Sequence, residues 1–224
     1  MTGVTGRLYI SPYRNPTQNL ALERFLLRTG ARAILLWRPC PAVVVGRHQD
    51  IESEVNTAYA ERADICVVRR STGGGAVYMD EGNLNICAVS TAGAPRMGKC
   101  IELLSEILRS FGVPAEFSGG NDVTVDGRKI SGWAETMCDG VSMAHGTLLF
   151  DVALDTLAEV LTPPREKYEK HGVASVRQRV ANLKDHLPGW NMEKLIEEIS
   201  AALEANGYAP APIPEHIFTE TSLA

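Results

Sequence analysis

The chain has 224 residues, of which 45% are hydrophobic and 22% charged, an ordinary composition for a soluble globular protein, and a single domain over residues 1–224 is the expectation. A net charge of −5 argues against a general nucleic-acid or anionic-membrane binder, so no nucleic-acid or membrane partner is expected. The N-terminus lacks an apolar signal core, no stretch reaches the length of a membrane span, and the five cysteines form no Cys-x-x-Cys pair; together these predict a reducing, cytoplasmic setting.

Arg7 to Ile10 reads as a short strand. Asn15-Pro16 then supplies an N-cap and an N1 proline for a helix through about Thr29, with Leu22, Phe25 and Leu26 on one side and Gly30 at its end. Ile34–Trp37 and Val43–Val45 are strands on either side of Pro39-Cys40-Pro41, and a short helix is expected near Thr57 to Arg62. Ile65 to Val68 is predicted to be a buried strand, and Leu84 to Val89 a second one. Cys66 and Cys87 lie within these runs and are read as small buried hydrophobes.

Met97, Ile101, Leu104, Leu108 and Phe111 recur at helical spacing, and Gly112 closes that helix. Asp126-Gly127 between two β-prone runs predicts a tight hairpin, and Cys138-Asp139-Gly140 a second, which delivers Val141 to Phe150 as a strand. Leu154 to Leu161 reads as a helix, the charged stretch Arg165 to Lys170 as a solvated one, and Met192 to Leu203 as an amphipathic one. The proline-containing tail beyond Asn206-Gly207 reads as an extended segment. Hairpins mixed with helical crossovers give an α+β class: a mixed, mostly antiparallel sheet packed with helices.

Between the two central strands lies Arg69-Arg70-Ser71-Thr72-Gly73-Gly74-Gly75-Ala76-Val77-Tyr78. Glycines let backbone N–H groups approach an anion closely, and an arginine beside them adds a permanently charged fork. No Gly-Lys-Ser/Thr follows, so this is not a P-loop, and contiguous glycines followed by a strand are not a dinucleotide fingerprint. The bland reading is a glycine-rich turn flanked by solvated arginines. Lys129, just past the Asp-Gly hairpin and beside Ser131-Gly132, is the leading catalytic candidate; its bland reading is a surface lysine.

The segment Arg69 to Tyr78, with Asp80 and Gly82-Asn83, resembles the signature of lipoate–protein ligases. Further segments follow in that family's order: Gly46 to Gln49, Asn121-Asp122, Asp126 to Gly132, His145 to Leu149, and Ser175 to Leu183. The resemblance covers roughly residues 7 to 190. It implies a biotin/lipoate ligase-like catalytic domain that converts lipoate and ATP to lipoyl-AMP and transfers the lipoyl group to a carrier lysine. The carrier would be a lipoyl domain or a glycine-cleavage H-like protein. Arg70, Gly73, Gly74, Gly75, Ala76, Val77, Tyr78, Asn83, Asn121 and Lys129 would contact ATP or lipoyl-AMP. Lys129 would meet the reacting carboxylate and phosphate, and His145 would lie near the lipoyl pocket without a proton-transfer role. Asp122 would help hold Mg²⁺, which takes oxygen ligands and shares substrate phosphates.

Three departures qualify the resemblance. Met79 stands where the ligase pattern usually has histidine, which removes any imidazole role there. The related octanoyl and lipoyl transferases use a cysteine nucleophile; Ser142 occupies one of its positions, and Glu116 to Asp122 contains no cysteine for the other. Many ligases continue into an accessory domain, for which the chain, ending at Ala224, leaves no room, so a separate accessory protein is expected. An ATP-independent lipoyl or octanoyl transferase and a non-catalytic lipoyl-adenylate binder are the alternative readings.

Overall fold

The computed structural model describes residues 6–91, 97–117, 120–161 and 179–214. The predicted helix at Arg165–Lys170 and the motif residues Ser175 to Gln178 lie outside them. The chain runs β1 (Gly6–Ile10), α1 (Pro16–Thr29), β2 (Ala33–Trp37), β3 (Ala42–Val45), α2 (Ile51–Glu54), α3 (Thr57–Arg62), β4 (Cys66–Arg69), β5 (Val77–Met79) and β6 (Asn83–Thr91). It continues with α4 (Met97–Ser110), β7 (Glu116–Phe117), β8 (Asp122–Val125), β9 (Arg128–Cys138), β10 (Val141–Leu149), α5 (Leu154–Val160), a 3₁₀ turn (Leu183–His186), α6 (Met192–Ala205) and β11 (Tyr208–Pro210).

The class is α+β, as expected from the sequence. An eight-stranded sheet has the order β11-β1-β2-β6-β10-β9-β8-β7, and a three-stranded sheet the order β4-β3-β5. Among the described strands of the large sheet, β1 pairs in parallel with β2 and β11, and the other strand pairings are antiparallel. Strand alternation sends Ile34, Leu36 and Ile86 to one face, where they pack with Ile101 and Leu108 of α4 and Leu195 and Ile199 of α6. Leu35, Trp37 and Cys87 point to the other face, against Leu22 and Leu26 of α1 and Val44 of the small sheet. The far side of the small sheet is covered in turn, with Val43 and Val45 packing against Ala60 of α3 and Leu157 of α5.

Local chemistry sets the element ends. The Asn15 side chain accepts from the Thr17 amide, Pro16 occupies the first helical turn, and Gly30, at φ 67°, closes α1 in the left-handed region. Both predicted hairpins form, with Asp126 and Gly127 at φ 50° and 73° and Asp139 and Gly140 at φ 49° and 78°, the two positive values that a two-residue turn of this hand needs.

Three sequence expectations need correction. The run preceding the glycines is not a buried strand: β4 is the edge of the small sheet, Cys66 is exposed, and Val67 and Val68 are half-buried. Cys87 is buried as expected. The glycines do not link β4 to the 84–89 strand but carry the chain from β4 across β3 to β5, a strand the sequence reading did not separate. The extended tail includes a true strand, β11, paired with β1.

Candidate active site

Lys129 follows the Asp126-Gly127 turn at the start of β9, and its Nζ lies 2.7 Å from Asp122 Oδ1 on β8. Gly132 makes this geometry possible. A Cβ at 132 would sit 2.5 Å from Lys129 Nζ and 2.6 Å from its Cε, so the lysine side chain lies over the bare glycine to reach Asp122. The backbone of Lys129 is held as well: its carbonyl accepts from the Ala181 amide, at 2.9 Å. Asn182 then bonds both the amide and the carbonyl of Val152, which accounts for this part of the 175–183 motif by packing and polar satisfaction.

The glycine loop is organised by the two arginines that precede it. Arg70 is 7% exposed, and its guanidinium donates to Thr72 Oγ1, Val44 O, Gly73 O and Gly75 O. Most of its donors are therefore spent on shaping the loop. Burial lowers its pKa from the ordinary value, and the Glu23 carboxylate opposes that shift. Arg69 donates to the carbonyls of Gly46, Arg47 and Gln49 and so ties in the neighbouring Gly-Arg-His-Gln segment. Gly46 packs so tightly on the Gly74 carbonyl that a Cβ there would collide with it.

A cavity of about 410 Å³ joins the lysine hairpin to the glycine loop. Of the candidate site residues, Arg70, Gly74, Gly75, Ala76, Val77, Tyr78, Asn121, Lys129 and His145 border it. Two anticipated contacts do not. Gly73 is exposed and off the cavity, offering its carbonyl to Arg70. Asn83 is wholly buried, its Oδ1 accepting from the Asp80 amide; with Asp80 it builds the turn that docks residues 150–153. Met79 is buried at the cavity, and its sulfur receives Asn85 Nδ2 at 3.8 Å in place of any imidazole contact. The rest of the wall is largely apolar and includes Leu20, Val44, Trp133 and Leu149, a surface suited to an acyl chain.

Glu23 and Trp37 border this cavity and were not among the expected site residues, and Thr72 meets His145 from outside it. Glu23 of α1 is 2% exposed and lies 2.6 Å from His145 Nδ1; it also accepts from Trp37 Nε1 at 3.0 Å. The other ring nitrogen of His145 lies 2.7 Å from Thr72 Oγ1. One signal for this cluster was available: Asn19 and Glu23 are polar residues one turn apart on the buried side of α1, beside Leu22 and Leu26.

Magnesium is a different matter. Asp122 offers one carboxylate, already engaged by Lys129, and among the described residues no group of three His, Cys, Asp or Glu side chains could hold a metal ion. These residues do not form a magnesium site by themselves. Nor does a cysteine border the cavity; Ser142, at the alternative nucleophile position, bonds Ser90 at 3.2 Å instead.

The lipoyl protein ligase A/B catalytic-domain profile matches residues 15–204. The chain belongs to this family. It is 39% identical over 179 residues to the lipoate-protein ligase LplJ of Bacillus subtilis, a match covering 77% of this chain and 54% of the relative. The chain thus spans about half the length of that curated relative. Among solved structures, a bi-partite lipoate protein ligase of Thermoplasma acidophilum, studied with its E2 lipoyl domain, superposes with a TM-score of 0.83 at 27% identity. That likeness covers 96% of this chain and 90% of the other. A lipoate-protein ligase A bound with ATP superposes with a TM-score of 0.80 at 25% identity, covering 96% and 91% of the two chains. The Lys129 hairpin and the glycine loop both border the cavity. Among the described residues no helix is long and apolar enough to cross a membrane.

Proposed function

We propose that this chain is the catalytic domain of a lipoate–protein ligase. A lipoate carboxylate oxygen attacks the α-phosphate of ATP, forming the mixed anhydride lipoyl-AMP and releasing pyrophosphate. The ε-amine of a lysine on a lipoyl carrier then attacks the anhydride carbonyl, forming an amide and releasing AMP. The observation that carries this reading is the meeting of the Lys129 ammonium and the glycine-loop backbone on one apolar-lined cavity of about 410 Å³. Adenylation brings two anions together. A fixed ammonium and oriented N–H groups offset their repulsion and stabilise the charge that develops in the transition state. Lys129 has a carboxylate partner at 2.7 Å, so its ammonium is held at the cavity wall, where an incoming carboxylate and phosphate compete with Asp122 for it.

Arg70 acts here as the shaper of the loop, with Gly74 to Tyr78 as the nucleotide-facing segment and the apolar wall near His145 as the lipoyl end. Mg²⁺ would enter with the nucleotide phosphates, with Asp122, the carboxylate paired with Lys129, beside them. The carrier is a lipoyl domain or an H-like protein, a choice in keeping with the lipoyl domain that accompanies the Thermoplasma ligase. The bi-partite nature of that ligase also supports a separate accessory polypeptide for the adenylation step. The test is incubation with lipoate, Mg-ATP and candidate carriers, followed by intact-mass analysis. A carrier heavier by one lipoyl group, dependent on ATP, is the expected result; lipoylation that ignores ATP and tracks one cysteine would replace this reading with a transferase.

A further inference from the structure

One proton order gives every donor of the buried cluster at the cavity an acceptor. Trp37 Nε1 can only donate, so Glu23 Oε1 accepts at 3.0 Å. Glu23 Oε2 then receives the proton on His145 Nδ1, at 2.6 Å. At the other end Arg70 Nε can only donate, so Thr72 Oγ1 accepts at 3.0 Å, and the Thr72 hydroxyl proton goes to His145 Nε2 at 2.7 Å. Every donor meets one acceptor when His145 is neutral and protonated on Nδ1. A doubly protonated ring would press a second donor onto Thr72 Oγ1 and leave the hydroxyl proton without its acceptor. A neutral Thr–His bridge therefore links two buried opposite charges, Glu23 at 2% and Arg70 at 7% exposure.

The distances resemble a hydroxyl–imidazole–carboxylate triad, but Thr72 is 1% exposed and does not border the cavity, so its oxygen cannot meet a reacting carbonyl. What the relay does connect is two parts of the site. Glu23, Trp37 and His145 border the apolar cavity; Thr72 Oγ1 accepts from Arg70 Nε, and Arg70 in turn holds the Gly73 and Gly75 carbonyls and thus the glycine loop. Between them the relay joins α1, β2 and β10 to the loop.

We infer that Glu23 and Thr72 are positioning residues that act through His145 to lock the glycine loop onto the acyl wall, so that filling the acyl subsite and ordering the nucleotide loop favour each other. The ligand half of this inference rests on the ligase reading above; the mechanical half does not. Glu23→Gln is the sharpest variant. An amide has one oxygen for the two donors Trp37 Nε1 and His145 Nδ1, so its NH₂ group must face one of them, and the relay loses its proton order at unchanged shape. Thr72→Val removes the hydroxyl at equal volume, and Thr72→Ser restores it.

The primary measurement is amide hydrogen exchange over residues 71–76 in the purified chain without ligand. Glu23→Gln and Thr72→Val should speed exchange about tenfold, the scale of one net hydrogen bond, and Thr72→Ser should restore wild-type protection. The ¹⁵N imidazole signals of His145 should show the Nδ1–H tautomer in wild type and lose it in Glu23→Gln, a change that a purely packing role would not produce. Should Glu23→Gln fail to fold, Thr72→Val against Thr72→Ser carries the same test. Wild-type loop exchange in folded Thr72→Val overturns the inference. The ligand half is read by calorimetry of lipoate with and without a non-hydrolysable ATP analogue. Wild type should bind lipoate more tightly when the analogue is present, and Thr72→Val should abolish that gain while still binding each ligand. Retained coupling in Thr72→Val overturns the inference, whereas a wild-type chain that binds neither ligand overturns the ligase reading and leaves the exchange result to judge the relay.

Discussion

Lys129 and Gly132 form one device made of two residues. In the proposed reaction the ammonium would supply charge stabilisation, and the absent side chain at 132 supplies the space it crosses to reach Asp122. Lys129→Ala should cut lipoyl-AMP formation by about 3–4 kcal/mol of activation free energy, the usual effect of removing one oriented donor. Its side chain is 35% exposed, so the fold should survive. Wild-type adenylation by the folded variant would exclude the role assigned to it. Gly132→Ala should separate activity from stability. Its Cβ would overlap the flexible end of Lys129 and lie at ordinary contact distance, 3.5 Å, from Asp122 Oδ1, so the melting temperature should barely change while adenylation falls at least about tenfold, as expected for a displaced catalytic donor. A parallel loss of stability and activity would mean that Gly132 serves the strand and not the lysine.

At the scale of elements, the glycine loop is a backbone structure clamped from outside. Arg70 holds its carbonyls from within the fold, Arg69 holds the adjoining 46–49 segment, and Gly46 is the contact point between the two. A methyl group at Gly46 meets backbone, which cannot swing aside as a lysine tip can. Gly46→Ala should therefore displace the loop, destabilise the protein by about 1–3 kcal/mol as overpacking does, and weaken nucleotide binding more than lipoate binding. Titration calorimetry with each ligand separately checks this; equal losses for both would point to general unfolding.

For the molecule as a whole, the buried thiols predict an alkaline limit. Burial pushes the Cys87 thiol well above its ordinary value, and burial with help from Glu135 pushes Cys100 from 9.0 to about 11. Between those pH values the unfolded chain has lost protons that the native chain keeps, so stability falls as pH rises from about 9 through about 11. Thermal melts across that range should steepen in wild type and flatten in Cys100→Ala; identical slopes would show that Cys100 does not contribute. The partner proposal also belongs to this scale. Alone, the chain should transfer lipoate from supplied lipoyl-AMP to a carrier lysine, while pyrophosphate release from lipoate and ATP should be slow until an accessory polypeptide closes the site. Full-rate pyrophosphate release by the purified chain would remove the need for that partner.

Short-range chemistry was legible in the sequence, because caps, turns and periodic faces depend on neighbours only a few residues apart. Asn15-Pro16 and Gly30 bounded α1, Asp126-Gly127 placed Lys129 just past a hairpin, and contiguous glycines marked the loop. Motif order was enough to identify the family and most of the cavity border. What only the tertiary structure decided is long-range. Arg70 became a buried organiser because carbonyls from β3 and the loop converge on its guanidinium, and β4 became an edge because β3 takes the central place in the small sheet. Asn83 became a turn residue because Asp80 and Gly82 fold back onto residues 150–153. Glu23, Thr72 and His145 met because folding brings α1 and the glycine loop onto β10. Linear spacing carries no record of such a meeting: 73 residues separate Thr72 from His145, and 122 separate Glu23 from His145. The burial that makes their hydrogen bonds matter exists only once the sheets have closed over them.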